Sequence, residues 1–110
     1  MPSHEPTVVD LAKESNQSAS YDNHPIAEVN DHVVRISVMT EPYFWHSHPN
    51  SDETFLVIEG SLRIEFETHS VDLERGQLLT IKSGIRHRTR PLGARSVNIT
   101  IERANTETNP

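Results

Sequence analysis

His46 and His48 stand two residues apart in Trp45-His46-Ser47-His48-Pro49, Glu53 heads the apolar run that follows, and His87 opens another segment far along the chain. Side chains alternate faces in extended backbone, so the two neighbouring imidazoles point the same way if their segment is a strand. Three imidazole nitrogens and one carboxylate oxygen are a donor set for one divalent ion, with Fe, Mn, Ni and Zn the metals such ligands suit. Four protein ligands on an octahedral ion leave two positions for water, substrate or dioxygen, unlike a closed structural zinc site. The turn-like stretch His48-Pro49-Asn50-Ser51-Asp52 returns Glu53 toward the histidines. The remaining histidines, His4, His24, His32 and His69, read as surface or loop residues.

To bring these four residues together the chain needs several short strands. Val34, Ile36 and Val38 alternate with Arg35 and Ser37, and Phe44, His46 and His48 alternate with Trp45 and Ser47. Phe55 to Ile58 is a continuous apolar run, the mark of a strand covered on both faces. Leu62, Ile64 and Phe66 alternate with charged residues, short runs follow at 71–73 and 78–81, and Val97, Ile99 and Ile101 close the series. Turn residues separate the runs, at Gly60, Glu74-Arg75-Gly76 and Lys82-Ser83-Gly84. Roughly eight strands with no room for long helices after residue 30 predict an all-β antiparallel fold, closed as a barrel because closure removes edge strands.

Three segments follow from this pattern: an N-terminal arm over residues 1–31, the β-domain over 32–103 and a C-terminal tail over 104–110. In the arm, Thr7-Val8-Val9-Asp10 predicts a helix start capped by Thr7, and Ser15 to Ser20 reads as a break. One domain of 110 residues, with 34% apolar residues and a mean hydropathy of -0.58, has a lean core and gains from a metal or a second subunit. The absence of Cys excludes disulfides, thiolate ligands and cysteine nucleophiles. Met1 to Glu5 shows no secretory pattern and no apolar run spans a membrane, so a cytoplasmic protein is expected. A formal charge of -6 repels a phosphate backbone, and no nucleic-acid partner is expected.

The stretch His46 to Gly60 resembles the first motif of the cupin superfamily: His-X-His, four residues, Glu, six residues, Gly. Gly76, Gly84 and His87 fall at the spacings of its second motif. The resemblance covers about residues 32–102 and implies a double-stranded β-helix, or jelly-roll, barrel whose metal ligands map onto His46, His48, Glu53 and His87. Departures are Thr40 for the leading Gly, Lys82 for a Pro and Pro91 for an Asn. None removes a ligand, though Lys82 is expected to loosen the approach to His87. The chain is most similar to small single-domain cupins of the mannose-6-phosphate isomerase-like kind, a likeness of fold and not of activity.

Phe44, Phe55 and Val57 share alternation with the ligand candidates and can line a pocket or fill the core. Trp45 faces away and is expected beneath the arm or a second subunit. Period two sends Arg88 and Arg90 to the face opposite His87, so only a bulge would bring either inward. No general base stands out, and the catalytic residues stay unassigned. Two functions remain open: a metal-dependent enzyme of dioxygenase or isomerase type acting on a small organic molecule, and a non-catalytic module that binds or senses one. A homodimer is expected in either case.

Overall fold

In the computed structural model, residues 5–16 and 20–110 are described. His4 and the centre of the expected Ser15–Ser20 break lie outside them. Helix α1 spans Leu11–Ser15, and its cap is Asp10, not Thr7: the Asp10 carboxylate accepts from the N–H groups of Ala12 and Lys13 at 3.0 and 3.2 Å. An aspartate one residue before the first helical turn satisfies two otherwise orphaned donors.

Eight strands follow: β1 Asp22–Val29, β2 His32–Met39, β3 Glu53–Glu59, β4 Ser61–Phe66, β5 Ser70–Glu74, β6 Leu78–Ile81, β7 His87–Pro91 and β8 Ser96–Arg103. They form a five-stranded sheet, β1-β2-β8-β3-β6, and a three-stranded sheet, β5-β4-β7. The barrel expected from the sequence is not formed, because neither sheet closes on itself. The stretch expected as a strand at 44–48 makes only isolated bridges, with Pro42 and Pro49 on either side lacking the N–H a ladder needs. Among the described residues the architecture is an all-β, two-sheet cupin-like topology with one short helix.

Part of the presumed arm is in fact strand β1. It reads poorly because Pro25 interrupts it, but Pro is tolerated at a sheet edge, and the register shifts between Pro25 and Ala27. Asn30 turns the chain into β2 with φ at 53°, a conformation Asn accepts more readily than most residues.

Apolar side chains fill two layers. Between the sheets lie Met39, Phe55, Val57 and Ile81 from the larger one and Leu62, Ile64 and Leu73 from the smaller. On the outer face of the larger sheet Ile36, Val38, Val97 and Ile99 form a second cluster, packed by Leu11 of α1 and by Ile26, Leu56 and Ile58. The helix therefore makes the outer face part of the core. This turns most of the alternation of β2 and β8 around: Val34, Ile36, Val38, Val97 and Ile99 lie in the cluster that Leu11 of α1 joins, while Arg35, Ser37, Thr100 and Glu102 line the space between the sheets beside Met39. Gly60 has φ at +73°, and an added Cβ would strike the Arg95 carbonyl oxygen, so this turn admits only glycine without rearrangement.

Candidate metal centre

All four residues singled out by type and spacing come together. His46 and His87 exchange both backbone hydrogen bonds at 2.9 Å, setting their rings side by side with centroids 4.4 Å apart. Glu53 is the first residue of β3 and His87 the first of β7, so each starts a rigid element. Gly84, with φ at +83°, donates its N–H to the His48 carbonyl at 2.8 Å and turns the chain toward His87. The loosening expected at Lys82 is offset by Asp52. Its carboxylate lies 3.2 Å from the Lys82 ammonium and accepts the Ser83 N–H at 2.9 Å, fastening this turn beside Glu53.

One donor atom from each residue lies within 4.8 Å of all the others, and all four side chains are buried. Glu53 Oε1 is 3.2 Å from His48 Nε2 and 3.4 Å from His87 Nε2. Metal bonds of about 2.1 Å meeting at right angles hold ligand atoms roughly 3 Å apart, so the spacing suits one ion. The far side of each ring is anchored on a backbone carbonyl: His46 Nδ1 on Phe44 at 2.7 Å, His48 Nδ1 on Glu107 at 3.0 Å and His87 Nδ1 on Ile85 at 2.9 Å. A carbonyl oxygen only accepts, so each Nδ1 carries a proton and, in the neutral ring, Nε2 presents its lone pair. Such outer contacts fix both the tautomer and the orientation of a metal-binding histidine.

The electrostatics point the same way. His48 Nε2, His87 Nε2 and Glu53 Oε1 are buried without a hydrogen-bond donor among the neutral groups around them. Converging lone pairs of this kind are costly to bury unless a positive centre joins them. A proton can serve in the metal-free protein: the hydrogen bond to Glu53 raises His48 above its usual value of 6.5 despite burial. Burial pushes the Glu53 carboxyl up, but His48 and His87 outweigh it and hold the group at about 2. His46 is lowered, first by burial and then by its two imidazole neighbours. A divalent ion fits the same focus with all three rings neutral.

A cavity of about 310 Å³ adjoins the cluster, with Tyr21, Tyr43, Met39 and Phe55 in its walls. Phe55 thus does both jobs open to it, core and lining, whereas Val57 is core and Phe44 is half exposed. Trp45 is half-buried, with the Arg86 and Arg88 guanidinium carbons 5.3 and 5.1 Å from its ring centroid. Arg88 and Arg90 stay away from the cavity and both donate to Glu65, at 2.6 and 3.1 Å.

Three features of the site escape the motif. Glu102 and Arg35 line the cavity; burial and the Glu53 charge raise the Glu102 carboxyl above the ordinary range. Their signal was the polar half of each alternating strand, which reads as solvated unless the apolar half is known to face a helix. The third is the tail. Ser47 and Asn109 exchange backbone hydrogen bonds at 2.9 Å, and Glu107 supplies the carbonyl that anchors His48. Deleting residues 107–110 removes both contacts. Metal affinity, measured by competition with a chelating dye, should then fall by about 10- to 100-fold while the melt of the metal-free protein changes little.

Residues 33–100 match the family described as Cupin domain. The chain belongs to the cupin family. This cupin is 42% identical over 99 residues to Uncharacterized protein YdbB of Bacillus subtilis, a match spanning 89% of this chain and 87% of that one. Among solved structures, a cupin-2 domain containing protein from Shewanella frigidimarina superposes with a TM-score of 0.80 at 28% identity, covering 87% of this chain and 94% of that one. A putative mannose-6-phosphate isomerase from Ralstonia eutropha gives a TM-score of 0.73 at 21% identity, covering 89% and 98%. That last likeness is one of fold.

Proposed function

We propose that this cupin is a metal-dependent enzyme for a small organic substrate, with His46, His48, Glu53 and His87 holding one divalent ion beside the cavity. The observation that carries the reading is the set of three imidazoles anchored through Nδ1, with buried acceptor atoms facing one another at the centre. A bound Fe, Mn, Ni or Zn ion would supply Lewis acidity, and Fe or Mn electron transfer as well. The chain's own contribution is positional. Met39 and Phe55 provide apolar wall, the two tyrosines bring phenol groups to the same space, and Glu102 adds a carboxylate outside the ligand set. The buried Glu102 Oε2 has no hydrogen-bond partner among the described residues and is open to a group on a bound molecule. Metal analysis of untagged protein tests the first half: about one ion per chain is expected. Oxygen uptake after anaerobic Fe(II) loading separates dioxygenase from non-redox chemistry.

The same reading includes a homodimer formed through the outer face of the larger sheet. Val8 of the N-terminal segment is 95% exposed, and Leu78 and Ile101 of that face are 59% and 38% exposed beside half-buried Leu56 and Ile58. A two-fold pairing covers such a strip with its own copy. Light scattering after size exclusion should give twice the 12.5 kDa of one chain, and Ile101→Lys should return the single-chain mass.

A further inference from the structure

Arg35 projects from β2 between the sheets and is the one cationic side chain lining the cavity among the described residues. We propose that Arg35 is the carboxylate-recognition residue of this site, and that the molecule taken there is a small monocarboxylic acid. The proposal rests on the metal-site reading for where the rest of the molecule lies, but not for the Arg35 contact itself.

The contacts of Arg35 differ in kind from those of its neighbours. Arg63 forks onto Asp72 at 2.7 and 3.0 Å, Arg88 reaches Glu65 at 2.6 Å and Arg95 reaches Glu59 at 2.8 Å. Arg35 Nη1 approaches Asn23 Oδ1 only to 3.4 Å, and its Nε stands 3.7 Å from Glu102 Oε1, beyond hydrogen-bonding reach. A guanidinium has five N–H donors in a rigid fork matched to a planar carboxylate. This one is held loosely, with side-chain exposure of 34%, at the edge of a cavity. The inner face of a sheet is a costly place for an arginine, and Arg63, Arg88 and Arg95 show the tighter pairing that a purely structural role produces here.

Charge and size narrow the class. Glu102 shares the cavity wall with Arg35 and Glu53, its Oε1 standing 3.7 Å from the guanidinium Nε. One guanidinium fork matches one planar carboxylate. A volume of about 310 Å³ is near the lower bound for small-molecule pockets, which favours a compact acid over a sugar phosphate. The carboxylate takes the Arg35 fork, replacing its long approach to Glu102. The remainder points along Met39 and Phe55 toward the histidines.

The test uses propionate and benzoate as probes, each against its uncharged amide, titrated calorimetrically into the full chain both metal-free and loaded with Mn(II). At least one acid should bind wild type more than tenfold better than its amide. Arg35→Gln should weaken that acid by about 10- to 100-fold, the scale of lost charge-assisted hydrogen bonds, and leave amide binding unchanged. Arg35→Lys, which keeps the charge without the fork, should recover part of the loss. Equal binding of acid and amide by wild type overturns the proposal without any variant. Acid binding unchanged in Arg35→Gln overturns it too, by placing the carboxylate elsewhere in the cavity. The metal reading fails separately, through absent Mn(II) uptake, and leaves the Arg35 comparison legible in metal-free protein.

Discussion

His87→Ala should abolish stable metal binding. Wild-type protein is expected to take up one equivalent of Mn(II) or Fe(II), and the variant should bind more than about 100-fold more weakly, beyond the loss seen when an outer contact of a metal ligand is removed. The same result is expected for His46→Ala, His48→Ala and Glu53→Ala. His87 is fully buried, so its truncation also leaves a hole. For that reason His87→Gln is the companion variant, retaining volume and polarity without the imidazole, and circular dichroism confirms the fold of each protein before metal is measured. His69→Ala is the control. His69 is an exposed turn residue bonded to Thr68, and its loss should leave uptake unchanged. Full occupancy in folded His87→Ala would disprove the four-residue site.

The contrast between His87 and His69 shows what was legible in the sequence and why. The ligand candidates are marked by spacing along the chain, and spacing survives without knowledge of tertiary packing. The strands carrying Phe55 to Ile58 and Leu62 to Phe66 were legible for a similar reason: their alternation or continuity is local. Closure was not. Whether two sheet edges meet depends on backbone hydrogen bonds between distant segments, and the stretch around His46 and His48, framed by prolines, supplies bridges instead of a ladder. Arg35 and Glu102 were illegible for a different reason. Period two tells which residues share a face but not which face is inside, and α1 on the outer surface reverses the usual assignment. Glu107 could not be foreseen because a backbone carbonyl has no sequence signature.

This division bears on how function is built here. The motif specifies donors to an ion, whereas the groups able to choose a substrate come from the non-motif strands β2 and β8. Those strands pair throughout their length, from His32 with Arg103 to Met39 with Ser96, so Arg35 and Glu102 ride on a continuous ladder. Their positions relative to Glu53 are set by β8 pairing with β3 on its other side. On the proposed reading, substitution at Arg35 should change which molecule is taken while leaving the four donor residues in place.

Metal should raise the melting temperature by on the order of 10 °C, and by more as pH rises. Ligand at a hundredfold excess over Kd stabilises by about 2.7 kcal/mol. A domain of this size moves about 4–8 °C per kcal/mol. The pH sign follows from the folded-state titrations. His48 is raised above 6.5 by Glu53, so metal must displace its proton even somewhat above that pH, and affinity keeps climbing until His48 is neutral. The metal-free protein moves the other way through the same group. A raised histidine contributes stability that is fully present below 6.5 and is lost as pH rises through its folded value. Glu53, depressed to about 2, contributes stability present above 4.5 and lost only as pH falls toward 2, so it is constant near neutrality. His46, lowered by burial, gives up its proton at lower pH than His48 and so contributes less to the rise. The gap between melts with Mn(II) and with chelator should thus widen between about pH 6 and about pH 8. In Glu53→Gln the largest cause of the raised His48 is gone, and the pH dependence of the residual gap should move to lower pH. A wild-type gap that is absent, or that narrows with rising pH, would contradict a site where a proton on His48 and a metal compete for the same lone pair.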